Sequence, residues 1–264
     1  MSPSPQFSRY LGIDYSGAAT ADTPLTGLRV YRADRSNEPI EIRPDASHSR
    51  HWTRRALAGW LIDELSEGPP ALVGIDHGFS FPLAYFERHR LPPSWDSFLA
   101  DFCRHWPTDR AETPVDLIRR GIDGNPASRS GNARWRRLTE IRSGPAKSVF
   151  HFDVPGSVAK STHAGLPWLR AVRERLGSRA HVWPFDGWQP PAGRTVFAEV
   201  YPSIWKHRHP PGNRTPDQHD AFSVASALQD ADAIEGQLAG LFAPNLKQEE
   251  AHQASIEGWI LGVI

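Results

Sequence analysis

Residues 71–76 read Ala-Leu-Val-Gly-Ile-Asp, an unbroken apolar run that ends in an aspartate. Such a run is typical of a short strand that is buried on both faces, as in parallel sheets that helices cover. Residues 11–14, Leu-Gly-Ile-Asp, repeat the pattern near the start of the chain. Ligands of open α/β sheets bind beyond the carboxyl ends of parallel strands, so Asp14 and Asp76 are candidate binding residues. The alternative is that each aspartate only caps the turn after its strand.

The residues around these two runs predict a mixed α/β fold. Turn signals separate three short strand-like segments at the start of the chain, which indicates an antiparallel meander. Strands and helices then alternate, and this order favours a mixed sheet that is flanked by helices. We expect strands over 9–16, 27–33, 39–43, 71–76 and 195–200, and helices over 50–66, 155–176 (broken or kinked at Pro167) and 216–239.

The segment from about 85 to 145 differs in composition from the rest of the chain. It is rich in Pro, Trp and Arg, and short helical patterns lie near 95–105, 114–120 and 133–140. Its few aliphatic residues would bury little core by themselves. We therefore expect a single domain over residues 1–264 with a helical insertion at about 85–145.

Composition excludes several classes of protein. The 264 residues carry 30 basic and 30 acidic side chains, so the charge of the whole molecule does not attract nucleic acid, and any such binding needs a local patch. The single Cys103 excludes an intramolecular disulfide and a Cys-rich zinc site. No apolar run approaches the length of a membrane span, and residues 1–10 lack the apolar core of a signal peptide. We expect a cytoplasmic protein with no membrane partner.

Glu199 is a third candidate carboxylate, because it interrupts an apolar strand close to its end. Alternation along the strand places Glu199 with Phe197, and opposite Val196, Ala198 and Val200. The alternative is that Glu199 lies on a solvent-exposed face of an edge strand.

Residues 215–221, Thr-Pro-Asp-Gln-His-Asp-Ala, begin the clearest helix of the chain. Thr215 and Gln218 form a capping box, with proline at the first helical position. Asp217 then lies in the first turn, where the helix dipole favours an acid, whereas Asp220 lies beyond the cap.

Both helix acids extend a stripe that should pack on the sheet, formed by Ala221, Val224, Ala225 and Leu228. A carboxylate on a buried face needs a partner. A divalent cation shared with Asp14 and Asp76 would be such a partner, and ligands that offer only oxygen suit Mg²⁺ or Mn²⁺.

At these residues the sequence resembles the DUF429 family, predicted nucleases of the ribonuclease H-like superfamily. The resemblance covers most of the chain outside 85–145. Its motifs are short, and their order is more specific than any one of them. They are Gly12-Ile13-Asp14, Gly74-Ile75-Asp76 with Phe81-Pro82, Glu199-Val200-Tyr201-Pro202 and Asp220-Ala221. The helix with Asp217 and Asp220 also looks like the last catalytic helix of RuvC-like resolvases.

This resemblance implies a ribonuclease H-like mixed five-stranded sheet with flanking helices, in which the first three strands are antiparallel. It implies catalytic carboxylates at Asp14, Asp76 and Asp220, with Asp217 beside them. Glu199 belongs to the DUF429 pattern rather than to the ribonuclease H core. The implied activity is metal-dependent hydrolysis of phosphodiester bonds in nucleic acid.

Several polar residues are candidates for contacts with substrate. Residues 119–147 hold eight basic side chains against two acids, which would suit a phosphate-binding surface, and a solvated arginine-biased insertion is the alternative. We assign Arg134, Arg137 and Lys147 from this segment to substrate binding. Ser16, His77 and His219 join them because each lies beside or close to a candidate carboxylate. We interpret His48, His51, His207 and His209 as surface residues, since they lack a metal-binding frame.

Two other functions remain open at this point. The Asp14-Tyr15-Ser16-Gly17 turn also resembles the first phosphate loop of actin-like and sugar-kinase-like phosphotransferases and ATPases, although that class usually needs two duplicated domains. A binding protein that kept the fold without activity is the other alternative. The sequence does not distinguish DNA from RNA, and it does not indicate an oligomeric state.

Overall fold

The fold is organised around one six-stranded mixed sheet with the strand order β3-β2-β1-β4-β6-β5. This computed structural model describes residues 6–45 and 49–264, so His48 lies outside the described residues. The strands are β1 (Arg9–Asp14), β2 (Arg29–Asp34), β3 (Ile40–Ile42), β4 (Ala71–Asp76), β5 (Ala180–Val182) and β6 (Thr195–Glu199).

The sheet combines an antiparallel half with a parallel half. The first three strands form the expected antiparallel meander, and β1, β4, β6 and β5 then run parallel to one another. The α/β class and the mixed sheet are therefore confirmed. The expected number of strands is wrong, because the three-residue strand β5 is added at the edge beside β6. Three residues are too few for periodicity to identify a strand.

Helices cover both faces of the sheet. They are α1 (Arg54–Ser66), α2 (Leu83–His89), α3 (Trp95–His105), α4 (Val115–Arg119), α5 (Leu138–Ser143), α6 (Ala159–Leu176), α7 (Pro216–Ala233), α8 (Gln237–Leu241) and α9 (Gln248–Glu257). Short 3₁₀ turns lie at Pro126–Arg129, Gly177–Arg179, Pro202–Ile204 and Lys206–Arg208.

The helix predicted over 216–239 is shorter than expected. Its first residues carry the predicted capping box, in which the Thr215 hydroxyl accepts from Gln218 N and the Gln218 side chain accepts from Thr215 N. The helix ends at Ala233, and Gly236 has a positive φ of 76°, a conformation that interrupts a helix and favours glycine. Two further helices follow, so α7 is not the last helix of the chain.

Each face of the sheet carries its own apolar cluster. One contains Ile13, Ile75 and Phe197 and packs under α1 and α6. The other contains Val196, Ala198 and Val200 and packs under α7. The predicted alternation along β6 is therefore confirmed.

The segment over 85–145 packs mainly on the first of these clusters. Its helices α3 and α4 bury Phe98, Phe102 and Ile118, which belong to the same cluster as the sheet residues. Aromatic rings fill the space that its few aliphatic residues leave, because one aromatic side chain buries about 150–250 Å². The segment shares this core rather than forming one of its own.

Candidate carboxylate site

Two aspartates end neighbouring parallel strands at the same level. Asp14 of β1 and Asp76 of β4 are paired in register. Residues that are paired in a parallel ladder point to the same face, so both carboxylates lie on the face that α7 covers. This is the arrangement that the repeated Gly-Ile-Asp pattern predicts.

Close packing of α7 brings two more aspartates to these strand ends. A Cβ added at Gly12 would lie 2.1 Å from Ala221 O and 2.6 Å from Ala225 N, so only glycine lets the helix backbone approach β1 this closely. Ala221, Val224, Ala225 and Leu228 are fully buried on the sheet, as predicted. Asp217 and Asp220 lie on the same stripe at the start of α7, where they face the strand ends.

The electrostatic environment shows that these four carboxyl groups act on one another. Burial and repulsion from Asp76, Asp217 and Asp220 raise the pKa of Asp14 well above its usual range, although Arg29 opposes the shift. Burial, followed by repulsion from Asp220 and Glu199, raises the pKa of Asp76 to about 8. Burial also raises the pKa of Asp220. Full ionisation of the cluster is therefore unfavourable, and a bound cation would offset that cost.

The donor chemistry of the four carboxyl groups fits a hard divalent cation, but their present positions do not enclose one. Within residues 6–45 and 49–264, no three His, Cys, Asp or Glu side chains are arranged to hold a metal ion. Ligands to Mg²⁺ lie about 2.0–2.1 Å from the ion, so the side chains would have to rotate toward each other. The site therefore offers suitable ligands without a preformed cage.

Glu199 has a different environment from the four aspartates. In the ladder it pairs with Ile75, so its side chain leaves the sheet on the face opposite Asp76. It is 3% exposed, and both of its oxygens accept from the Arg137 guanidinium at 2.7 and 2.5 Å. The Phe79 N–H donates to it as well, at 3.0 Å. Glu199 therefore has a structural partner for each carboxylate oxygen.

Arg137 lies in the interior rather than on a substrate-binding surface. It is fully buried and also donates to Glu140, at 2.9 Å. Two buried glutamates compensate its charge and accept its N–H groups, so this guanidinium is not available to bind a phosphate. Its position in an arginine-rich segment suggested a surface residue, and only its long-range partner Glu199 shows otherwise.

The other candidates from this segment are more accessible. Arg134 is exposed. Lys147 lies with Asp76 at a small pocket, and its Nζ donates to Pro155 O at 2.6 Å. Lys147 and Asp76 thus line the same pocket.

His77 follows Asp76 but points into the core. It is 1% exposed, its Nδ1 lies 2.9 Å from Gly78 O, and its ring contacts Tyr15 edge-on. Burial lowers the pKa of His77 to about 4, so the imidazole is neutral at physiological pH. A Cβ at Gly165 would lie 2.5 Å from its Nε2, which shows how tightly α6 covers the ring. This packing favours a structural role.

Ser16 and His219 both lie near the helix acids. A Cβ added at Gly27 would lie 3.8 Å from Ser16 Oγ and 3.4 Å from Asp217 Oδ2, so these two side chains approach the same place. His219 Nε2 lies 3.0 Å from Lys206 O, whereas its Nδ1 is buried and has no hydrogen-bond partner among the described residues.

Two charged residues of the site were missed by the sequence analysis. Lys206 lies 3.9 Å from Asp220, and its charge opposes the rise in pKa of both Asp220 and Asp76. Arg29 pairs with Asp14 across β1 and β2 in register. Strand pairing would have identified Arg29, since it lies at the start of the second predicted strand. No local signal singles out Lys206, which begins the short 3₁₀ turn Lys206–Arg208.

Lys206 also borders an open cleft of about 730 Å³ beside Asp220. Its walls carry a set of basic and histidine side chains: Lys206, His207, Arg208, His209, Arg214 and His219. His207 and Arg208 are exposed. A basic surface therefore lies beside Asp220 and outside the arginine-rich segment over 119–147.

Among the described residues, no helix is both long and apolar enough to span a membrane. Comparisons with protein family models, with curated proteins and with solved structures find no match to this chain.

Proposed function

We propose that this chain is a metal-dependent phosphodiesterase of the ribonuclease H-like superfamily that hydrolyses nucleic acid. The observation that carries the proposal is the convergence of four aspartates at the carboxyl ends of the central strands β1 and β4: Asp14, Asp76, Asp217 and Asp220. The strand order β3-β2-β1-β4-β6, with an antiparallel meander before the parallel strands, also supports this superfamily.

The four aspartates would hold Mg²⁺ or Mn²⁺, with Asp14 as the central ligand because it interacts with the other three. When bound, the cation supplies a Lewis acid for the phosphoryl oxygens. Asp76 must lose its proton to become a ligand, and Lys206 favours this loss because its charge opposes the rise in pKa of Asp76. Lys206 thus links the carboxylates to the basic cleft.

The basic cleft supports a polyanionic substrate. Arg208 and Arg214 line it together with Lys206, and Asp220 belongs to the same lining. Arginine and lysine side chains neutralise backbone phosphates without reading sequence, which gives binding that weakens with salt. A strand bound along the cleft would present a phosphodiester to the carboxylates.

The test is calorimetric titration with Mn²⁺ together with cleavage of labelled single-stranded and branched DNA and RNA. Asp14→Asn should abolish Mn²⁺ binding and cleavage while its melting temperature in chelator does not fall. Asp63→Asn is the matched control, because Asp63 is exposed on α1, which packs on the other face of the sheet. It should retain both properties.

Unchanged Mn²⁺ affinity in Asp14→Asn would overturn the assignment of the site. Stabilisation of the wild type by ATP, without nucleic-acid cleavage, would favour a phosphotransferase instead. If neither Mn²⁺ nor ATP binds, the fold serves a non-catalytic role.

A further inference from the structure

A second pocket, of about 320 Å³, lies away from the four aspartates. Its walls are aromatic and its mouth is basic, and the residues that matter are Trp106, Arg119, Arg120, Phe150, Phe152 and His163. Sites for small molecules have volumes of about 300–1,000 Å³ and combine apolar walls with a few placed polar groups. This pocket has the size and the composition of such a site.

Three aromatic rings of the lining pack against one another, and Phe152 is the least buried of them. The Trp106 and Phe152 rings are nearly parallel, with an interplanar angle of 10° and centroids 6.2 Å apart. The His163 ring lies edge-on to Trp106, with centroids 4.4 Å apart. Flat aromatic faces favour a planar aromatic ligand, because every base or heterocycle has a π-face that can stack on them.

Two of the residues that line the pocket, Trp106 and His163, carry buried polar groups that lack a full set of hydrogen-bond partners. Trp106 is 3% exposed, and its Nε1–H has no hydrogen-bond partner among the described residues. His163 Nδ1 donates to Ala159 O at 2.8 Å, so the neutral ring presents Nε2 as an acceptor. An unpartnered buried donor is unfavourable, and a ligand acceptor would satisfy it.

Charge at the mouth favours an anionic group on the ligand. The Arg119 guanidinium lies 4.7 Å above the Phe152 ring and pairs with Asp153 at 2.7 and 2.6 Å. Arg120 is exposed, and no ion pair compensates its charge among the described residues. Arg120 is thus the mouth cation that is available to an incoming anion.

We propose that this pocket binds a nucleobase that carries a phosphate, either as a free nucleotide or as an unpaired nucleotide of a strand. The base stacks on the aromatic wall, its ring acceptor receives the Trp106 N–H, its amino group donates to His163, and the phosphate meets Arg120. A simple aromatic carboxylate has no donor for His163 Nε2. This inference does not depend on the proposed nuclease activity, because none of the four aspartates lines the pocket.

The test is titration of the full chain with the four nucleoside monophosphates in chelator, followed through the indole N–H signals in ¹H–¹⁵N spectra. At least one nucleotide should shift the Trp106 signal, which Trp106→Phe identifies by its absence. Trp106→Phe should bind the nucleotide roughly tenfold more weakly, because it keeps an aromatic ring but loses the buried N–H that donates to the base. Trp168→Phe is the control, because Trp168 also has an unpartnered Nε1–H but lines a different cavity.

Arg120→Glu provides a second variant that does not disturb the core. It should weaken binding of the nucleotide and leave binding of the matching nucleoside unchanged. Competition by a short single-stranded oligonucleotide would identify a strand as the source of the base, and its absence would identify a free nucleotide. An unmoved Trp106 signal with every nucleotide would overturn the proposal, and so would equal displacement by benzoate or inorganic phosphate.

Discussion

Asp220 is the residue at which a ligand role and a structural role predict opposite effects on stability. Its carboxyl group is half-buried, and its pKa is raised by burial and by Asp217, while Lys206 at 3.9 Å opposes the shift. A cluster of like charges destabilises the folded protein unless a cation is bound. Sites of this kind exchange stability for activity.

We predict that Asp220→Asn melts no lower than the wild type in chelator and loses the stabilisation that Mn²⁺ confers. Asp217→Asn should lower stability only by a fraction of ~1 kcal/mol through the helix dipole. Thermal melting of both variants in chelator and in Mn²⁺ measures the difference. A variant at Asp220 that melts well below the wild type in chelator, yet still gains stability from Mn²⁺, would make Asp220 a structural residue.

A second prediction concerns the pH dependence of stability at Asp76. The folded pKa of about 8 lies above the usual 3.8, so the fold favours the protonated carboxyl. Its contribution is therefore complete below pH 4 and is lost as the pH rises toward 8. Between pH 4 and pH 8 in chelator, we expect the free energy of unfolding of the wild type to fall by about 2 kcal/mol relative to that of Asp76→Asn. This is less than the full pKa shift implies, because water screens the partly buried carboxyl group. A difference between the two proteins that does not change with pH would contradict this.

The contact between α7 and β1 decides whether the helix acids reach the strand acids. It depends on Gly12, where any side chain would meet the helix backbone at Ala221 and Ala225. Backbone atoms cannot rotate away as a flexible side chain can, so the whole helix would have to move.

We predict that Gly12→Ala lowers the free energy of unfolding by about 3 kcal/mol and weakens Mn²⁺ binding, because it displaces Asp217 and Asp220 together. Gly59→Ala in α1 is the control. A Cβ at Gly59 meets nothing within 4 Å, so alanine should raise stability by roughly 0.5–1 kcal/mol through its helix propensity. Chemical denaturation of both variants gives the two values. Equal stability of Gly12→Ala and the wild type would show that α7 does not pack as described.

A buried ion-pair network connects three distant parts of the chain. Arg137 at the start of α5 binds Glu199 at the end of β6, and it donates to Glu257 O at the end of α9 at 3.3 Å. Glu257 in turn accepts from Leu83 N and Leu138 N, at 2.6 and 2.7 Å. This network attaches the segment over 85–145 to the sheet.

We predict that Glu199→Gln lowers the free energy of unfolding by about 3 kcal/mol, because it leaves the Arg137 charge buried without full compensation. Its Mn²⁺ affinity should change little, since Glu199 leaves the sheet on the opposite face. The control is Glu174→Gln in the exposed Arg170 pair, which should change stability by less than ~1 kcal/mol. Denaturation and calorimetry of both variants test the assignment. Loss of Mn²⁺ binding with little change in stability would instead place Glu199 among the ligands.

The elements that the sequence predicts well are those with strong local signals. The strand over 71–76 and the helix over 95–105 have the predicted bounds, and the capping box starts α7 where expected. Periodicity and capping act between residues that are close in the chain, so the sequence reports them directly. The short strand β5 and the helix end at Ala233 carry weaker signals and were not predicted.

Which charged residues meet is decided by contacts between residues that are distant in the chain. The Gly-Ile-Asp pattern indicates that Asp14 and Asp76 end two strands, but only strand pairing puts them in register. In sequence, Arg137 resembles its exposed neighbour Arg134. It is a core residue because it pairs with Glu199, and that partner lies 62 positions away in the chain, beyond the reach of a local pattern. Lys206 joins the site only because its 3₁₀ turn packs against the start of α7. Sequence patterns specify the secondary structure and the buried face of each element. Packing between elements determines the electrostatic partner of each charge, because charges interact through space and not along the chain.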